Sequence, residues 1–129
     1  MADQQASLRS PLGRVRGLGS ARGGTHHWWM ARVTSVALLP LTIWLVFALA
    51  SLAGASHAVT VAWIGQPLHA VLLLAFLAAS FHHTASGLQV VIEDYVRADA
   101  ARMGAVLVVK AVCALLWLAA SLAVLRIAV

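Results

Sequence analysis

The chain has little charge and almost no cysteine, and each shortage narrows what it can be. Charged residues fill 10% of its 129 positions, where ordinary soluble domains carry roughly a quarter. Only four positions are acidic. Cys113 is the single cysteine and lies inside an apolar run. That excludes a disulfide framework or a thiolate-held cluster and fits a small buried side chain. Tyrosine is equally scarce, with Tyr95 alone. Nine basic residues give a net charge of +5, but they do not form the aromatic-interleaved patch of a nucleic-acid binder. They gather at the ends of apolar runs, as topology signals do. What is abundant is hydrophobicity, at 62% of residues with a mean hydropathy of +0.90. Such a chain has room for about three or four membrane spans of about 20 residues each, and none for a separate catalytic domain.

Three spans can be drawn. Residues 1–27 form a polar leader rich in Gly and Ser, with Arg9, Arg14, Arg16 and Arg22. It has too little to bury and is expected to be flexible. Residues 28–129 form a membrane anchor domain with helices over about 33–53, 67–92 and 104–125. Pro40 should kink the first helix mildly. The small residues of "GASHA" after that helix suggest signal cleavage. The apolar run, however, exceeds the roughly 7–15 residues of a signal h-region and follows a long leader, so it is read as a retained helix. A short loop over about 54–66 has no Lys or Arg. Pro67 suits the first turn of the second helix. The polar segment "EDYVRADAAR" connects to the third, where Lys110 can snorkel back to the near interface.

The arginines set an orientation. The leader, Arg32, Arg97 and Arg102 lie on one side, and Arg126 stands alone at the C-terminus. The positive-inside rule therefore puts the N-terminus and the second connection in the cytoplasm and the C-terminus outside. Trp28 and Trp29 fit the cytoplasmic aromatic belt, and Trp63 fits the opposite one. The expected fold is all-α, an integral three-helix membrane anchor.

Ionisable residues near the membrane mark functional sites, because burying them is costly. The second span carries His69, His82 and His83, and it ends in Glu93, Asp94 and Tyr95. At roughly 100° per residue, positions 83, 87, 90 and 94 share one helical stripe. It reads His83, Gly87, Val90, Asp94. A neutral imidazole is a good iron ligand, and a glycine one turn away admits a flat macrocycle or another backbone. Asp94 sits about 16 Å along the axis from His83, at the cytoplasmic interface, with the hydrogen-bonding phenol of Tyr95 beside it. A redox ligand below a proton-handling pair suits quinone chemistry. The plain alternatives are a packed histidine and a polar helix end whose carboxylates answer nearby arginines. His57 and His69 fall near the outer interface and read as solvated, while His82 is turned about 100° from His83, towards a partner or loop. His26 and Arg32 share the cytoplasmic level, where an arginine fork suits a propionate or a quinone carbonyl.

These residues carry a family resemblance. The run "HTASGLQVVIEDYV", from His83, resembles the segment H-x-x-x-G-(L)-Q-V-(I/V)-(I/V)-E-D-Y of the hydrophobic membrane anchor subunits of succinate dehydrogenase, respiratory complex II. The stretch "GTHHWWMARVTSVALLPLTIW" resembles the entry to their first helix, H-x-W-x-x-x-R-x-T-A-x-x-L-x-P-L-x-x-W. The resemblance implies a respiratory-chain and tricarboxylic acid cycle complex in the bacterial inner membrane. Its partners would be a flavoprotein subunit that oxidises succinate, an iron–sulfur subunit, and a second, cytochrome b556-type anchor, with membrane lipid around them and no nucleic acid. It implies haem b held by one histidine from each anchor, and ubiquinone as the electron acceptor. Carried over, His83 is this chain's axial ligand, Tyr95 bonds a quinone carbonyl and Asp94 supports it. Arg32, and with less support His26, faces the haem propionates or the quinone pocket. The adjacent His82 leaves a register ambiguity that the spacing to Gly87 and Asp94 resolves towards His83. Ala31 stands where many relatives have Gln. Two other functions compete. One is a small b-type cytochrome, which would need matching histidines on another helix, and the other is a non-redox membrane assembly protein or transporter fragment.

Overall fold

A computed structural model describes residues 24–129, so most of the expected leader, with Arg9, Arg14, Arg16 and Arg22, lies outside the described residues. The described chain is helical: α1 spans Gly24–Ser51, α2 His57–Ile64, α3 Pro67–Tyr95 and α4 Asp99–Ala128. Three of these, α1, α3 and α4, are long and apolar enough to cross a membrane. The protein is an all-α, multi-pass membrane protein.

The helices outrun the apolar runs that announced them. Once a helix is nucleated, each added residue gains a backbone hydrogen bond for one residue fixed, so polar ends continue the spiral. Residues 24–27, grouped above with the leader, form the first turn of α1, which also passes through Pro40. The segment Glu93–Tyr95, expected in the second connection, is the last turn of α3, and the Val96 amide closes it on the Ile92 carbonyl at 2.9 Å. The true connection is only residues 96–98. Pro67 begins α3, where its missing N–H costs no helical bond.

The loop expected over 54–66 contains α2. Gly54 turns the chain out of α1 with φ of 80°, a left-handed conformation that favours glycine. Ser56 then caps α2, its hydroxyl accepting from the Val59 amide at 3.4 Å. Gly65 ends α2 close to the far end of α4, and a Cβ there would sit 3.5 Å from the Ile127 carbonyl oxygen.

Helix α3 is the middle member. It packs on α1 and on α4, while α1 and α4 do not pack on each other. Only Thr34, Ala48, Ala70, Ser86, Cys113 and Ser121 are buried among the described residues, and all are small. Small residues let helix backbones approach closely, which drives association where lipid removes the hydrophobic incentive. The large side chains point outward instead, with Phe47 71% and Leu39 66% exposed. They are the surface offered to lipid.

Candidate functional site

The site begins with a hydrogen bond between α1 and α3. Thr34 Oγ1 lies 3.1 Å from His83 Nδ1. The same hydroxyl lies 2.8 Å from the Met30 carbonyl oxygen and 3.1 Å from that of Ala31. Carbonyl oxygens only accept, and a threonine hydroxyl has one proton. Were that proton given to His83, two acceptor oxygens would face each other at the 2.8 Å contact with Met30. The proton therefore goes to the helix backbone, and His83 Nδ1–H donates to Thr34. In the neutral ring that leaves a lone pair on Nε2, the form in which imidazole ligates a metal.

The rest of the stripe continues up α3 as an open surface. His83 is half-buried, and Gly87, Val90 and Asp94 are exposed. A Cβ on Gly87 would meet nothing within 4 Å, so packing inside this chain does not require the glycine. Asp94 has no side-chain hydrogen bond among the described residues, whereas Glu93 accepts from Gln89 Nε2 at 2.7 Å. Tyr95 ends the helix with 82% of its surface exposed. The only ion pair among the described residues joins Arg102 to Asp99, so the arginines do not hold Asp94.

Not every predicted residue joins this stripe. Arg32 lies two residues before Thr34, about 200° around α1, and so faces away from α3. Its guanidinium stands 4.9 Å over the Trp28 ring. His26 instead lines a cavity of about 270 Å³ with His27, Met30, His82, Ser86 and Lys110. His82 also borders the groove between α3 and α4 beside Phe81, Cys113 and Trp117. The two adjacent histidines thus part: His83 bonds to α1, while His82 borders both the His26 cavity and the α4 groove.

His69, read above as solvated, is packed. Its ring stacks on Trp63 with centroids 3.9 Å apart, and its Nδ1–H donates to the Trp63 carbonyl at 2.8 Å. Trp44 of α1 lies 5.8 Å from Trp63, so the Trp63 ring is held between α1 and α3. Its amphipathic ring sits better against two indoles than in water. Trp63 therefore fastens α2 to the helices beside it.

Thr34 is the residue that sequence reasoning missed. The available signal was the threonine two residues after the arginine in the first-helix pattern quoted above, a hydroxyl in an apolar run. Its partner 49 positions away could not be read from spacing.

A family described as succinate dehydrogenase/fumarate reductase transmembrane subunit matches residues 6–120. The chain belongs to this family. Among individual members, it is 28% identical to the succinate dehydrogenase hydrophobic membrane anchor subunit of Rickettsia bellii, over 80% of this chain and 82% of the relative. It is 30% identical to that of Rickettsia typhi, over 84% and 86%. The Paracoccus denitrificans subunit is 34% identical over 67% of each chain. No solved structure matches. As a succinate dehydrogenase/fumarate reductase transmembrane subunit, the chain has the three apolar helices and outward-facing large side chains described above.

Proposed function

We propose that this chain is the hydrophobic anchor of a succinate:quinone oxidoreductase, supplies one axial ligand to haem b, and forms part of the ubiquinone-reduction site. The observation that carries the reading is half-buried His83, with Nδ1–H bonded to Thr34 and no hydrogen bond on Nε2 among the described residues. The donor chemistry fits a haem iron. Gly87, one turn further on, adds no bulk where a macrocycle or a partner backbone would approach. When bound, the haem supplies a one-electron carrier within the membrane. His83 would be half a site, with the other ligand supplied by a cytochrome b556-type anchor.

Asp94 and Tyr95 complete the quinone end. The Tyr95 phenol is exposed and donates a hydrogen bond to a quinone carbonyl, and the free carboxylate of Asp94 accepts or relays a proton there. Both stand about 16–18 Å above His83 along α3, at the cytoplasmic interface. In this reading the N-terminus is cytoplasmic and the C-terminus lies outside. Arg32, exposed at the same end, offers a fixed positive charge to a propionate or a quinone carbonyl. His26 is the weaker member, because it borders the His82 cavity. Succinate oxidation belongs to the flavoprotein subunit, and electrons arrive through the iron–sulfur subunit.

The test is co-expression with the flavoprotein, iron–sulfur and second anchor subunits. The purified complex is expected to show a b-type signal in a dithionite-reduced difference spectrum and succinate-dependent quinone reduction. A complex that assembles with neither would refute the proposal.

A further inference from the structure

The position of Thr34 has a consequence beyond packing. It is 7% exposed, lies on α1, and is the only hydrogen-bond partner of His83 among the described residues. Its own proton is committed to the Met30 carbonyl. A hydroxyl so oriented can only accept from the imidazole. It therefore selects the tautomer with the proton on Nδ1, and it holds the ring plane through a helix other than the one that carries the histidine. Hydrogen-bonded partners of this kind fix the orientation of a ligating histidine and raise its basicity.

We propose that Thr34 is the positioning residue for His83: the relay from the Met30 carbonyl through the Thr34 hydroxyl to His83 Nδ1–H presents the Nε2 lone pair to the haem iron and tunes the iron's potential. This inference rests on the reading of His83 as a haem ligand. Its physical content is specific. Valine has the shape of threonine without the hydroxyl, and serine has the hydroxyl without the methyl. A purely packing role predicts that valine is the better replacement, and a tautomer-setting role predicts that serine is.

The experiment compares wild type, Thr34→Val, Thr34→Ser and His83→Ala in the assembled complex. Haem content per complex and the haem midpoint potential are the readouts. Losing the acceptor for Nδ1–H weakens the ligand's electron donation and so favours ferrous iron. Thr34→Val is expected to retain haem tenfold or more less tightly. Its potential is expected to rise by a tenfold shift in the ferric-to-ferrous ratio, about 59 mV for one electron. Thr34→Ser should stay close to wild type. If His83→Ala loses haem but Thr34→Val matches wild type in both readouts, the inference is wrong and the ligand assignment stands. Equal damage in the serine and valine variants also overturns it, because the hydroxyl is then not the agent.

A haem-independent arm separates the inference from the reading beneath it. In the full chain labelled with 15N-histidine and reconstituted in bilayers without haem, the His83 signal is identified by its loss in His83→Gln. That signal should report a proton on Nδ1 in wild type and Thr34→Ser, and a shift towards the other tautomer in Thr34→Val. No change in Thr34→Val removes the claim that Thr34 sets the tautomer. A haem signal insensitive to His83→Ala removes the ligand assignment instead.

Discussion

Thr34 on α1 and His83 on α3 meet at 3.1 Å across 49 positions of sequence, and this contact joins the two helices. It gives the two adjacent histidines different neighbours. His83 is tied to α1 and keeps a free Nε2, while His82 borders the groove shared with α4.

That division makes a direct prediction. The His83→Ala complex should lose its b-type absorbance in a reduced-minus-oxidised spectrum, and His82→Ala should retain it. The reverse pattern would move the ligand to the α4 side of the helix.

Tyr95 is 82% exposed at the end of α3, so its phenol is free for a partner outside the chain. Tyr95→Phe should slow quinone reduction about tenfold, the worth of one hydrogen bond made at the reacting carbonyl. Succinate oxidation with an artificial acceptor should be nearly unchanged. Equal loss in the two assays would point to failed assembly and against a quinone contact.

Gly87 is open space within the chain, since a Cβ meets nothing within 4 Å. A Gly87→Leu chain should therefore insert in the membrane with wild-type helicity by circular dichroism. It should nevertheless fail to retain haem or the second anchor on co-purification, because the added bulk projects from the stripe that His83 begins. Normal haem content in Gly87→Leu would show that nothing approaches closely there.

At the other end of the molecule, Trp63 stacks on His69 and lies against Trp44. Trp63→Ala should destabilise the protein by about 1–2 kcal/mol, from two aromatic contacts and lost apolar burial. Thermal unfolding in detergent should show the loss, while the haem spectrum stays as in wild type. A spectral change would mean that the Trp63 clasp is coupled to the haem site.

Much of the fold was legible because the bilayer imposes simple rules. Three apolar runs of spanning length could only be helices, since lipid offers no partner for an unpaired backbone. The stripe of His83, Gly87, Val90 and Asp94 followed from helical periodicity alone. Less legible were the helix ends, where the polar residues 24–27 and 93–95 continue the spiral. The helix α2 was missed because eight residues carry too short a pattern to separate helix from loop. The solvated reading of His69 failed for another reason. Its partners, Trp63 and Trp44, lie on two other helices.

The sequence by itself determined the solvent, the number of spans and the order of residues along each helical face, because hydropathy and a fixed helical rotation are local properties. It brought the chemical groups to α3 but left open which neighbours they meet. The tertiary structure decided that α3 lies between α1 and α4, that His83 turns to Thr34, and that Arg32 turns away. The reason is that the buried residues are uniformly small, so backbone approach between helices, and not any one side chain, fixes their rotation. Only that rotation gives the hydroxyl of one helix to the imidazole of another.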